Sequence, residues 1–134
     1  PTLTAMAKAA QDLRRAGNHQ TGNSAFADLQ LVFVSLDGAR DTAAALRAFV
    51  AGAGADVVAL RGGEKQIADL AGQLGILHFR RPADAQGRYL VDHPATVLLI
   101  DPRARLRAGF SMPRDAPRIV EIGLAIAAHD RATP

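Results

Sequence analysis

Hydrophobic positions along the chain alternate between a helical period and nearly unbroken apolar runs. Leu3, Met6, Ala10 and Leu13 fall on one helical face, which predicts a first helix with Thr2 as N-cap and Gly17 as stop. A polar, glycine-bearing loop is expected from Asn18 to Ser24. Leu29 to Leu36 is apolar and β-branched, the pattern of a strand buried on both faces in a parallel sheet. After Asp37-Gly38 a second helix is expected from Asp41 or Thr42, with Leu46, Phe49 and Val50 inward and Gly52 and Gly54 ending it. Asp56 to Leu60 reads as a second strand. Ile67, Leu70, Ala71 and Leu74 mark a third helix closed by Gly75.

The second half changes character. Ile76 to Phe79 is extended, and a polar excursion returns the chain into Tyr89, Leu90 and Val91. Thr96 to Ile100 reads as another buried strand. From Arg103 to Phe110 the residues alternate, with Arg103, Arg105 and Arg107 on one face and Ala104, Leu106 and Ala108 on the other. Such an arginine face either keeps an edge strand from pairing or docks an acidic partner. A last helix is expected from Asp115 and Pro117, carrying Ile119, Val120, Ile122 and Ile126. Strands alternating with helices, followed by a late hairpin, give an α/β fold with a mixed sheet flanked by helices, in one domain spanning residues 1–134.

Composition narrows the chemistry. Hydrophobic residues make up 49% and charged residues 22%, so the chain has a core to bury. No apolar run reaches the roughly 18–20 residues that span a bilayer. The net charge is +3, but the basic residues are 14 Arg and 2 Lys with one Tyr and no Trp. No aromatic-plus-basic cluster for stacking bases is present, and no nucleic-acid partner is expected. There is no cysteine, which removes disulfides, thiol nucleophiles and thiolate metal sites from these residues. Ser24, Ser35 and Ser111 lack a G-x-S-x-G setting, and Gly62-Gly63 lacks the rest of a phosphate loop. The chain opens on Pro1 rather than Met, which sets the expectation that upstream residues have been cut away.

Three segments together resemble the SCO/SenC family of thioredoxin-like proteins. Phe33 to Thr42, FVSLDGARDT, resembles that family's strand ending in D-P-x-R-D-T, with Asp37, Arg40, Asp41 and Thr42 matching and Gly38 in place of proline. Tyr89 to Pro102, YLVDHPATVLLIDP, is similar to Y-x-V-D-H followed by a strand ending in I-D-P; Leu98 replaces a common tyrosine, and Ala104 a common glycine. The opening PTLTAM resembles the helix that follows the family's C-x-x-x-C-P.

The resemblance implies a thioredoxin-like copper chaperone. It would bind copper, assist metallation of the copper centre of cytochrome c oxidase, and have the oxidase subunit carrying that centre as partner. It also implies the periplasmic face of the inner membrane or the mitochondrial intermembrane space, reached through an N-terminal anchor absent from this chain. The family's ligands are the two cysteines of C-x-x-x-C and the histidine of the D-H motif, and only the latter carries over, as His93. Asp92 is the candidate to orient its ring, or an ordinary turn carboxylate. One imidazole does not hold Cu(I), a soft ion that selects thiolates, and disulfide exchange needs a thiolate attacker. Neither activity, and no enzyme activity, is therefore expected of these residues alone.

A fragment would also lack the sheet's first, central strand, which in this fold lies between residues 29–36 and 95–100. Two other readings remain open: a cysteine-free thioredoxin-like module that binds partners, and a thiol-disulfide oxidoreductase or peroxidase in the intact protein. Asp37, Arg40 and Asp41 are either a charged cluster near the metal loop or a helix cap, with Asp41 or Thr42 capping and Arg40 paired beside it. His78 reads as structural, His19 and His129 as solvated, and no zinc-type histidine spacing is present.

Overall fold

The computed structural model describes residues 2–20, 26–53, 57–94, 96–111 and 116–132. Helix α1 (Thr2–Gln20) precedes β1 (Leu31–Val34), α2 (Ala43–Ala51), β2 (Val57–Leu60) and α3 (Glu64–Leu74). The short strands β3 (Phe79–Arg80) and β4 (Val91–Asp92) follow, then β5 (Thr96–Ile100), β6 (Leu106–Ser111) and α4 (Ala116–Ala132). This is the expected order, with the stretch around residues 79–92 resolved into a ribbon of its own. Asn23, Ser24, Gly54, Asp56 and Asp115, which the sequence assigned to loops and element ends, lie outside the described residues.

Local chemistry explains most of the boundaries. Thr42 caps α2: its side chain accepts a bond from the Ala45 amide at 3.1 Å. Gly75 closes α3 at φ 66°, a left-handed conformation that costs glycine least. At α1 the expectation fails. The helix begins at Thr2 itself and runs past Gly17 to Gln20.

The strands form three pairs. β1 and β2 are parallel, from Leu31 opposite Val57 to Val34 opposite Leu60, with α2 as the crossover. β3 and β4 are antiparallel, Phe79 facing Asp92 and Arg80 facing Val91. β5 and β6 are antiparallel from Thr96 opposite Ser111, and the register shifts where Leu99 faces Ala108 but Ile100 faces Leu106. Arg107 is thus the extra residue of a β-bulge. Among the described residues no ladder joins the three pairs.

One apolar cluster nevertheless reaches across them. Met6 and Ala9 of α1, Phe110 of β6, and Ala116 and Ile119 of α4 are buried together, and Leu31, Val97 and Leu99 pack against them. The apolar face of α1 therefore lies behind both β1 and β5 although those strands share no backbone hydrogen bonds. The expectation of strands buried on both faces is corrected accordingly. Val32 is 42% exposed and Ile100 47%, because neither strand has a neighbour on each side. Phe49, expected inward, is exposed and lies against Phe33 with ring centroids 5.1 Å apart, while Leu46 and Val50 are buried.

The arginine face is not a strand face. Residues 102–104 form a turn and the strand starts at Leu106. Asp101 organises this turn: its Oδ1 accepts the Arg103 and Arg105 amides, each at 2.9 Å, and its Oδ2 accepts Arg105 Nε at 2.7 Å. Arg107 pairs with Asp130 of α4. Arg105 and Arg107 are thus spent on the protein's own carboxylates rather than aligned for a partner.

Ala104 has φ 58°, the one non-glycine with positive φ among the described residues, at the position where the family pattern has glycine. A left-handed alanine costs about 1–2 kcal/mol, partly offset by the extra unfolded-state entropy of glycine. Ala104→Gly is expected to raise the midpoint of urea unfolding. Gly75→Ala, where a Cβ meets nothing within 4 Å, is expected to lower that midpoint through a loss of about 1 kcal/mol of stability. The same sign for both substitutions would contradict this account.

Candidate functional site

The end of β1 turns sharply into α2. Asp37 forms that turn, its carbonyl accepting the Arg40 and Asp41 amides at 3.1 and 2.9 Å. Ser35 is 2% exposed; its hydroxyl donates to Asp41 and accepts the Asp37 amide. Gly38 has a steric reason. A Cβ there would lie 2.2 Å from the Gly62 carbonyl oxygen, so the proline usual in the family pattern does not fit this loop pair. Arg61 fastens the same two loops by donating to the Gly38 carbonyl at 2.6 Å.

The buried carboxylate of Asp37 gathers partners from a distant segment. It accepts a bond from Arg40 Nε and one from the Tyr89 hydroxyl at 3.0 Å, with Arg80 Nη2 at 4.0 Å. Arg40 also donates to the Tyr89 carbonyl at 2.9 Å. The guanidinium carbons of Arg40 and Arg80 lie 4.1 and 4.4 Å from the centre of the Tyr89 ring, within cation–π range. A charged cluster is therefore present at this turn, and its members are Asp37, Arg40, Arg80 and Tyr89. Arg40 pairs with Asp37 rather than Asp41, whose carboxylate is held by Ser35. Arg80 and Ser35 carried no such signal in the sequence. Tyr89 did, since it stands in the same pair of matched segments as Asp37.

The electrostatics follow from these contacts. Burial pushes the Asp37 carboxyl up, but the Tyr89 hydroxyl and the Arg40 guanidinium outweigh it and hold it below the usual carboxylate value. Tyr89 is pushed up, first by burial and then by donating to a carboxylate. Asp101 is held low by the Arg105 amide and the other donors of its turn.

His93 follows directly on β4 and is exposed. Its Nδ1 lies 3.2 Å from the Pro94 carbonyl. A carbonyl only accepts, so this contact favours the tautomer with the proton on Nδ1 and the lone pair on Nε2. Asp92 does not hold the ring. The Asp92 carboxylate accepts Arg81 Nε at 2.6 Å instead. His78 is half-buried, beside a crevice of about 500 Å³ that opens between the ends of β1 and β2 and the β3–β4 ribbon. His129 is exposed; the side chain of His19 lies outside the described residues.

Among the described residues no three His, Cys, Asp or Glu side chains group to hold a metal ion. The chain has no cysteine. The donors present, one exposed imidazole, do not fit copper by themselves. Nor is any helix among the described residues long and apolar enough to cross a membrane.

The SCO1/SenC family model matches residues 1–126. The mitochondrial SCO2 homolog of Bos taurus is 28% identical over 93 residues, covering 69% of this chain and 35% of that protein. An SCO2-like protein of Rickettsia prowazekii (strain Madrid E) is 28% identical over 96 residues, covering 71% of this chain and 47% of that one. The chain thus spans less than half the length of these relatives. Among solved structures, copper-bound ScoI of Arabidopsis thaliana superposes with a TM-score of 0.78 at 19% identity, covering 96% of this chain and 74% of that one. Yeast Sco1 gives 0.69 at 19% identity, covering 98% and 77%. These likenesses establish the thioredoxin-like fold with a mixed arrangement of strands flanked by helices.

The depressed Asp37 and Asp101 carboxyls make stability depend on pH with a definite sign. Their contribution is complete above the ordinary carboxylate pKa of about 4 and is lost as pH falls through the lower folded values. Asp37→Asn is expected to reduce stability at neutral pH and to flatten its decline in acid, measured by urea unfolding across pH. An unchanged acid slope would contradict the assignment.

Proposed function

The chain belongs to the SCO1/SenC family, and from that premise we propose that it handles copper destined for the copper centre of cytochrome c oxidase. His93 is one ligand, and a cysteine pair outside these 134 residues supplies the others. The observation that carries this reading is an exposed His93 that directly follows β4, in a ribbon whose Tyr89 is bonded to Arg40 and Asp37 of the turn after β1, where the motif segments meet.

The unpaired sides of β1 and β5 support the same reading. A strand entering α1 would connect to β1 through a helical crossover and so run parallel to it. Between β1 and β5, such a strand would end level with Asp37. Residues that link its end to α1 would then emerge near His93, where ligands are needed. In this proposal the domain is N-terminally incomplete as given, and the missing part brings both strand and cysteines. A mitochondrial relative supports a place in mitochondria or at the corresponding bacterial membrane, and the proposal puts the domain on the periplasmic or intermembrane-space face, held by an anchor outside these residues. Chaperone rather than enzyme is the role, with the oxidase subunit carrying the copper centre as partner.

The protein as its gene encodes it is expected to bind Cu(I), and His93→Ala to weaken that binding at least about tenfold. The 134 residues alone are expected neither to bind Cu(I) tightly nor to reduce a disulfide. Unaltered affinity in His93→Ala would remove the histidine from the site. A gene that encodes no cysteine pair would leave a cysteine-free partner-binding module in its place.

A further inference from the structure

The β3–β4 ribbon that presents His93 is poorly secured by the usual means. Each of its strands is two residues long, and isolated two-stranded hairpins are marginal in water. It shares no ladder with the other strands. Its large apolar side chains do not anchor it either: Leu77 is 84% exposed, Phe79 60% and Leu90 63%. Against the ends of β1 and β2 the ribbon borders the crevice of about 500 Å³, which Phe79, Arg80 and Val91 line, rather than packed core.

What ties the ribbon down is narrow. Among the described residues, each hydrogen bond and ion pair from residues 79–92 to the rest of the protein starts at Tyr89 or Arg80 and ends on Asp37 or Arg40. Asp37 is a firm anchor, because it is buried and its carbonyl and amide are both bonded within the turn after β1. The other end of the segment runs into β5, where the Thr96 amide donates to the Pro94 carbonyl. The stretch bearing His93 is thus pinned at two points, and one of them is Tyr89.

We propose that Tyr89 is a positioning residue for His93: its hydroxyl on Asp37 and its ring against the Arg40 and Arg80 guanidiniums fix the ribbon, and with it the imidazole, at the end of β1. The role assigned to the imidazole rests on the copper reading above; the positioning itself does not. Three residues of mostly extended chain, Leu90 to Asp92, join Tyr89 to His93, so a shift at the tyrosine is carried to the ring. Such outer supports typically change metal affinity by about 10–100-fold when removed.

Two variants of the gene-encoded, metal-free protein separate the components. Tyr89→Phe removes the hydroxyl and keeps the ring, whereas Tyr89→Leu removes both. Amide hydrogen exchange at residues 91–93 is expected to accelerate in Tyr89→Phe and further in Tyr89→Leu, while the β5–β6 amides keep their protection. Cu(I) affinity is expected to fall about tenfold in Tyr89→Leu. Unchanged exchange at 91–93 in Tyr89→Leu overturns the proposal, as does equal acceleration in β5–β6, which would mean general destabilisation. So does unchanged Cu(I) affinity in Tyr89→Leu when His93→Ala loses it. If His93→Ala itself leaves affinity intact, the copper reading fails, and the exchange data alone decide whether Tyr89 holds the ribbon.

Discussion

Unpaired backbone along facing strands is the constraint on which the rest of this structure depends. β1 bonds only to β2 and β5 only to β6, yet Leu31 and Val97 pack on the same face of α1. Peptide groups beside an apolar core need partners, since a buried unpaired N–H or C=O costs about as much as a lost hydrogen bond. The half-exposure of Val32 and Ile100 has the same origin. A helix that closes over a gap two strands do not close themselves is what the proposed additional strand would explain.

That gap and the chemistry point to one end of the molecule. The turn after β1, the loop before α3 and the ribbon ahead of β5 converge there, held by Asp37, Arg61 and Tyr89. Charge is balanced locally, with Asp37 against Arg40 and Arg80, and Asp92 against Arg81. His93 stands apart from these pairs and is exposed. A soft metal is not held there without sulfur, which is why the proposed site needs ligands beyond these residues.

How much of this was legible in sequence depended on range. Helical faces read well where periodicity was long: Met6, Ala10 and Leu13 are buried as expected. Gly17 did not stop α1, because a glycine inside a helix costs only about 1 kcal/mol and the helix continues beyond it. The alternation at Arg103–Arg107 looked like a strand, but the side chain of Asp101 captures two amides and makes a turn; Asp-Pro was the signal for it. Burial of β1 was overestimated because an apolar run reports the neighbours a strand is built for, whether or not they are present. Asp37 and Tyr89 lie 52 positions apart, and no local period links them. Only their joint presence in two motif segments gave a hint. Asp92 illustrates the opposite error, since adjacency in sequence to His93 brings no bond to its ring and the carboxylate is taken by Arg81.

The most direct measurement is the pattern of backbone contacts in the protein as its gene encodes it, by nuclear magnetic resonance or crystallography. The account predicts an additional strand bonded to Leu31–Val34 in parallel and to Thr96–Ile100 in antiparallel fashion, with protected amides on both. Direct pairing of β1 with β5, or free exchange along both facing sides, would contradict it.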